Sequence, residues 1–304
     1  MSRDFSESLG GGRLDLLGEL GYDSGDKLLI VHADDVGMCH SVNAATFERL
    51  MDGSVSSASL MAPCPWILEA VEFFKENRGC DVGVHSTLTS EWRFYRWRPL
   101  TAAKGLIDED GFLPSTVGEV ASRASPAEVM AELEAQVGWL ASRGVELSHL
   151  DTHMGTVYAR PEFLEAYLEV ARNHQLIPMV PSLRRELIEA ARAQGLPVDE
   201  LRSIIARAPV KLDYLLAGVP GHTLDEKARA LTLFLKSLEP GTVSQVIVHL
   251  GLDTDELRAI IGDGYRERYF EYLLVGSSDV ERMLESLGIH LISWRDLKPL
   301  LAGT

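Results

Sequence analysis

Cysteine is scarce in this 304-residue chain. Cys39, Cys64 and Cys80 are odd in number and include no CxxC pair, which argues against a disulfide framework and against a zinc ribbon. No stretch reaches the roughly 18 consecutive apolar residues that a membrane-spanning helix needs. The first residues also lack the basic start and apolar run of a secretory signal. We therefore expect a cytoplasmic protein that does not enter a membrane.

Positive charge is also in short supply. The chain has 29 Lys and Arg against 45 Asp and Glu, for a formal net charge of -16. Phosphate backbones are attracted by clustered Lys and Arg, so nucleic acid is disfavoured as a partner. The hydrophobic share of 46% is ordinary for a globular protein that buries a sizeable core.

Short apolar strands alternate with amphipathic helical segments along the sequence. Strands are predicted at 28–32, 54–61, 81–85, 146–151, 177–182, 244–249 and 289–293. Helices are predicted at 41–52, 65–77, 126–142 and 161–173, and the region 183–216 is expected to be mostly helical. This alternation indicates right-handed βαβ units and a parallel sheet. About seven such units predict a closed or nearly closed (β/α) TIM-like barrel, with an open doubly wound sheet as the alternative.

No linker, repeat or low-complexity block divides the chain. Residues 1–24 are predicted to form a flexible leader, because the glycines at 10–12 follow no strand and precede no GK[ST] segment of a phosphate loop. Residues 25–304 are expected to form a single catalytic (β/α) barrel domain.

Four predicted strand ends hold carboxylate or imidazole side chains. They are Asp34 and Asp35, His85, the trio His149, Asp151 and His153, and His249. Functional residues of parallel α/β folds collect where the strands end. Two neutral imidazoles and one carboxylate form a three-ligand set with open positions, as in hydrolytic metal sites. A neighbouring carboxylate can then act as general base on the water of the ion.

Each motif also has a purely structural interpretation. Two aspartates after a strand are common as a helix N-cap or turn, and a lone histidine such as His85 is more often structural. The occurrence of ADDxG and HxDxH after successive βα units in one chain favours a functional site.

These motifs resemble those of the YdjC-like carbohydrate deacetylases. The resemblance lies in IVHADDVGMCHSVNAAT at 30–46, VGVHSTLT at 82–89 and HLDTH at 149–153. Weaker similarity is found in VIVHLG and in GYRERYFEYLLV, which begins at Gly264. The resemblance implies a distorted (β/α) barrel that hydrolyses N-acetyl groups of sugars.

The resemblance also implies roles for individual residues. Asp35, His85 and His153 are expected to hold a divalent ion, with Asp34 as general base and His249 as the acid that protonates the leaving amine. Where the family has a proline after this histidine the chain has Leu250, so the chitobiose specificity of relatives is not transferred to it.

Two further groups of residues have expected roles near the ion. His149 and Asp151 are candidates to orient a ligating imidazole through its second nitrogen, although Asp151 can equally cap the following turn. An aromatic and basic segment supplies three candidates for sugar binding, Trp92, Arg96 and Trp97. The same segment can instead be a lid or a dimer contact.

The identity of the ion and of the substrate stays open at this level. Two imidazoles favour zinc on ligand softness, while magnesium requires a site completed by waters. The expected partner is a small N-acetylated carbohydrate, and family analogy alone suggests a homodimer. The alternatives are a metal-dependent hydrolase of an ester or phosphoester and a non-catalytic sugar-binding relative.

Overall fold

The computed structural model describes residues 17–303. Of the predicted leader, residues 1–16 lie outside the described residues, and Leu17 is buried in the protein core. Eight strands in the described part form one parallel sheet. The strands are β1 Lys27–Val36, β2 Ser57–Leu60, β3 Val82–Ser86, β4 His149–Thr152, β5 Ile177–Pro178, β6 Tyr214–Ala217, β7 Thr242–Val248 and β8 Ile289–Leu291.

The sheet curls into a distorted barrel with helices outside it, which confirms the predicted fold. Its strand order is β5-β4-β3-β2-β1-β7-β6, and β8 pairs with β1 beside this path. The two edges meet in a parallel bridge between Pro181, after β5, and Leu212, before β6. The distortion comes from β1, because β8 pairs with Lys27–Leu29 whereas β2 pairs with the second half of the strand.

Helices connect the strands and cover the outside of the sheet. They are α1 His40–Met51, α2 Ile67–Glu76, α3 Val117–Arg123, α4 Pro126–Ala141, α5 Pro161–Asn173, α6 Arg185–Ala193, α7 Val198–Ile205, α8 Leu224–Ser237, α9 Asp255–Ile261, α10 Tyr265–Val275 and α11 Ser278–Ser286. The start of α4 illustrates the local cause: Ser125 and Glu128 form a capping box around Pro126 in the first turn. Among the helices of residues 17–303, none combines the length and the apolar character that crossing a bilayer requires.

Seven of the eight strands overlap predicted ones, and β6 is the exception. The expectation of a mostly helical region over 183–216 is correct for α6 and α7 but wrong at Tyr214–Ala217, which pairs with residues 244–247 of β7. A run of four largely apolar residues fits a helix face as well as a strand. Here the pairing with β7 decides, and no periodicity in so short a segment reveals it.

Alternation along β1 divides its side chains between two cores. Leu28 and Ile30 belong to the cluster that also contains Trp294 and Ile177 of β5, while Leu29 and Val31 belong to the larger cluster shared with the helices. His32 continues the row of Leu28 and Ile30. The interior of the barrel therefore changes from apolar to polar toward the carboxyl ends of the strands.

A candidate metal centre at the carboxyl ends of the strands

A bulge near the end of β1 brings two neighbouring carboxylates into one site. The register with β2 shifts between Ala33 and Val36, and Asp35 has a φ of 62°. Side chains of successive strand residues normally point to opposite faces. The extra residue and the left-handed backbone re-aim one of them, so that Asp34 and Asp35 both face His85 of β3.

Asp35, His85 and His153 converge from β1, β3 and the end of β4. Asp35 Oδ1 lies 3.4 Å from His85 Nε2 and 3.2 Å from His153 Nδ1. The two nitrogens are 3.3 Å apart, and all three side chains are buried. Bonds of about 2.0–2.2 Å to a metal ion place neighbouring donors at about this separation. The structure thus brings together the three residues predicted as ligands.

The polar atoms of the site fit a cation. Asp35 Oδ1 and Asp34 Oδ1 are buried and have no hydrogen-bond partner among residues 17–303. A buried carboxylate oxygen without a donor is costly. A divalent ion between Asp35 Oδ1 and the two imidazoles would satisfy the first oxygen, and water beside the ion could donate to the second. One oxygen and two nitrogens form a donor set that zinc and related ions accept.

His85 is oriented from behind by Asp151. His85 Nδ1 donates to Asp151 Oδ1 at 2.7 Å, which leaves Nε2 facing Asp35. Asp151 also accepts from His32 Nε2 and from Ser59 Oγ, each at 2.8 Å. Although burial raises the pKa of Asp151, His85 and His32 hold it below its usual range. A carboxylate fixed by three donors is a rigid support for a ligating imidazole.

His149 lies deeper in the barrel than the predicted ligands. Its ring stacks on Trp294 with centroids 5.4 Å apart, and its Nδ1 lies 2.8 Å from Ser148 Oγ. Burial and the neighbouring His32 lower the pKa of His149 well below its usual value. The predicted role of His149 in orienting a ligand stays a prediction; its ring lies 5.1 Å from that of His32, which hydrogen-bonds Asp151.

A second carboxylate, absent from the sequence prediction, contacts His153. Glu91 Oε2 lies 3.1 Å from His153 Nε2, on the side of the ring away from Asp35. The contact gives His153 the same kind of carboxylate support that Asp151 gives His85. Glu91 lies in the loop after β3, and no spacing or motif in the sequence marks it.

Asp34 and His249 face each other beside the three-residue set. His249 Nε2 lies 3.6 Å from Asp34 Oδ1, and 37% of the His249 side chain is exposed. Burial raises the pKa of Asp34, while His249 and His85 oppose the rise. Burial lowers the pKa of His249, but the charge of Asp34 and the contact with Glu271 raise it to about 9.

Helix α10 contributes two buried charges that the sequence prediction missed. Arg268 Nη2 donates to Asp35 Oδ2 at 2.6 Å, and Glu271 Oε2 accepts from the backbone N–H of His249 at 2.7 Å. The two residues are three apart and therefore share one face of the helix. Although burial raises the pKa of Asp35, Arg268 and the two imidazoles hold it well below its usual range.

Lys227 of α8 completes this support. Its buried ammonium donates to Glu271 Oε1 at 2.8 Å and to the carbonyl oxygen of Val219 at 2.6 Å. Glu271 thus connects the backbone of His249 to Lys227. The sequence does not indicate that Lys227 is buried or paired, because α8 mixes charged and apolar residues.

The aromatic segment after β3 packs beside the site. Trp97 is only 2% exposed and its indole N–H donates to the Thr89 carbonyl at 2.8 Å, while its ring lies 6.4 Å from that of His153. Arg96 pairs with Asp108 at 2.8 Å. Trp92 is partly buried against the larger core. Their role in sugar binding stays a prediction.

Comparison with known proteins agrees with the resemblance in the motifs. Residues 28–286 match the model of a family described as YdjC-like protein. A carbohydrate deacetylase from Thermus thermophilus is 32% identical to this chain, over 95% of it and 100% of the relative. A chitooligosaccharide deacetylase from Yersinia enterocolitica is 29% identical, over 89% of this chain and 99% of the relative.

A solved structure shares the fold. A candidate cellobiose-phosphate cleavage protein from Enterococcus faecalis superposes with a TM-score of 0.73 at 23% identity, over 90% of this chain and 99% of that one. The motifs, the barrel and the family match lead to one conclusion. The chain belongs to the YdjC-like protein family.

Proposed function

We propose that the protein is a divalent-metal-dependent deacetylase that hydrolyses the amide bond of an N-acetylated sugar or oligosaccharide. The observation that best supports this is the convergence of Asp35, His85 and His153 within one group of potential ligands, with Asp34 and His249 beside it. The relatives named as carbohydrate and chitooligosaccharide deacetylases support the substrate class.

Asp35 Oδ1, His85 Nε2 and His153 Nδ1 are the atoms proposed to hold the ion. When bound, a divalent ion lowers the pKa of a water molecule and polarises a carbonyl group. Asp151 and Glu91 keep the second nitrogen of each imidazole engaged, which favours the orientation of both rings toward Asp35. Zinc and magnesium are both retained as candidates.

Asp34 is proposed to accept the proton of the attacking water. Its Oδ1 is buried and unpartnered in the described structure, so an approaching O–H group is its natural donor. Burial raises the pKa of Asp34, and a carboxylate with a raised pKa is the stronger base.

His249 is proposed to donate a proton to the leaving nitrogen. The charge of Asp34 and the contact with Glu271 raise the pKa of His249, which favours the protonated ring, and its partly exposed side chain can reach a bound sugar. In the net reaction, water adds to the acetyl carbonyl carbon, the C–N bond breaks, and the nitrogen takes the proton. The products are acetate and the free amino sugar.

The direct test is acetate release from a panel of N-acetylated mono- and oligosaccharides. The protein would be stripped with a chelator and then assayed with magnesium, zinc, cobalt or nickel added back. We expect acetate only after a metal is restored. Release from acetyl esters, or phosphate from phosphoesters, with no reaction of any N-acetyl sugar would replace this proposal with another hydrolase activity. A panel without any turnover, despite stoichiometric metal, would contradict the substrate class.

A further inference from the structure

The two oxygens of Asp35 have different partners. Oδ1 faces the imidazole nitrogens of His85 and His153 at 3.4 and 3.2 Å. Oδ2 accepts from Arg268 Nη2 at 2.6 Å. Arg268 is 233 positions away in sequence, and its side chain is 10% exposed. The contact is therefore made by the docking of α10 onto the end of β1.

Arg268 is poorly paired for a buried arginine. Its Nη1 is buried and has no hydrogen-bond partner among residues 17–303, although a guanidinium offers five N–H donors. A buried charge with an unpaired donor is a poor contribution to stability. Fold stability alone thus gives little reason for an arginine at this position.

The segment after β7 packs closely against the Arg268 side chain. A Cβ atom added at Gly251 would lie 3.2 Å from Arg268 Cβ and 2.6 Å from Leu257 Cδ2. A side chain at Gly251 would press on Leu257 and Arg268, so glycine favours the close approach of α9 and α10 to the segment after β7. Arg268 lies in this closely packed region.

We infer that Arg268 is a positioning residue that restricts Asp35 to binding the ion through Oδ1 alone. A carboxylate can bind an ion through one or both oxygens. With Oδ2 held by Arg268, Asp35 occupies one coordination position and leaves the others to water and substrate. The inference rests on the proposed function for its metal ion, but it concerns ligand geometry and is tested without substrate.

The test uses cobalt(II) as the probe in the metal-stripped full-length protein. Arg268→Met removes the hydrogen bond, and Arg268→Lys keeps the charge while it loses the planar fork. Arg266→Met is the matched control, because Arg266 lies in the same helix and is exposed. Circular dichroism and thermal unfolding would establish that each variant is folded. If Arg268→Met does not fold, Arg268→Lys provides the test.

We expect the visible absorption of bound cobalt to lose intensity in an Arg268 variant, because a second oxygen from Asp35 raises the coordination number. The cobalt dissociation constant of Arg268→Lys should fall, because an Asp35 that binds through both oxygens supplies one more donor to the ion. Arg266→Met should match the wild type in both measurements.

Wild-type cobalt spectra and dissociation constants in the folded Arg268 variants would overturn the inference. A protein that shows the expected cobalt changes but releases no acetate from any sugar would retain the inference and lose the proposed function. The two failures are therefore distinguishable.

Discussion

Asp151 supports His85 from the side opposite the proposed ion, through a hydrogen bond of 2.7 Å between Asp151 Oδ1 and His85 Nδ1. This bond fixes which nitrogen of the ring is available as a ligand. A carboxylate behind a ligating histidine typically contributes 10–100-fold to metal affinity or activity.

Replacement of Asp151 by asparagine should therefore weaken metal binding. We expect the dissociation constant for zinc to rise about 10–100-fold, measured by competition with a chromogenic chelator. Asp279→Asn is a suitable control, because that side chain is 84% exposed on α11. Unchanged zinc affinity in a folded Asp151→Asn protein would show that His85 is not held through this bond.

Asp34→Asn should separate catalysis from metal binding. The amide cannot accept the proton of the water, so kcat for acetate release should fall about 10²–10⁴-fold, while metal content stays at the wild-type level. Asp35→Ala should instead lose the metal. Elemental analysis of both purified variants, run beside the acetate assay, gives the comparison, and wild-type turnover of Asp34→Asn would refute the assignment of the base.

Lys227→Met should destabilise the fold. The substitution leaves Glu271 as a buried carboxylate without its ammonium partner, and breaking a buried pair in this way costs about 3–5 kcal/mol. Urea unfolding followed by circular dichroism measures the loss. The double variant Lys227→Met with Glu271→Leu should regain part of it, because no uncompensated charge remains. Equal stability of Lys227→Met and the wild type would contradict the role of the pair.

The free energy of unfolding should decrease in acid, partly through protonation of Glu271. Although burial raises the pKa of this carboxyl, His249 and Lys227 hold it below the usual value. The folded state then binds the proton less readily than the unfolded state. The contribution of Glu271 to stability is complete above the ordinary glutamate pKa of about 4.3. It is lost as the pH falls toward the lowered pKa of Glu271 in the folded state.

Unfolding free energies of the metal-free protein between pH 3 and pH 7, a range around that ordinary pKa of about 4.3, test this dependence. The wild type should lose more stability across the acidic part of the range than Glu271→Gln, which has no such proton to bind. Parallel curves for the two proteins would argue against a lowered pKa at this position.

The site residues at the strand ends can be predicted from the sequence, whereas the residues that support them cannot. Asp35, His85 and His153 follow apolar strands in a βα pattern, so their meeting follows from the parallel barrel itself. Arg268 and Glu271 lie in a helix that also contains the exposed Arg266. Only the packing of α10 against the barrel decides which of these charges turn inward.

The bulge at the end of β1 could not be predicted from the sequence either. The sequence prediction ends the first strand at residue 32, but β1 continues to Val36 through the bulge at Asp34 and Asp35. A bulge depends on pairing with β2 and on the left-handed backbone at Asp35. The pattern of apolar and polar residues indicates neither the pairing nor the backbone conformation.

The three partners of β1 have a consequence for local opening. Residues 27–33 of β1 pair with β7, and the strand also pairs with β2 and β8, so the amides of this part should exchange with solvent only when much of the sheet separates. Asp34 and Asp35 follow directly on this part and lie between Ala33 and Val36, which both pair with β2. The backbone that carries the two carboxylates is therefore anchored to the sheet on both sides.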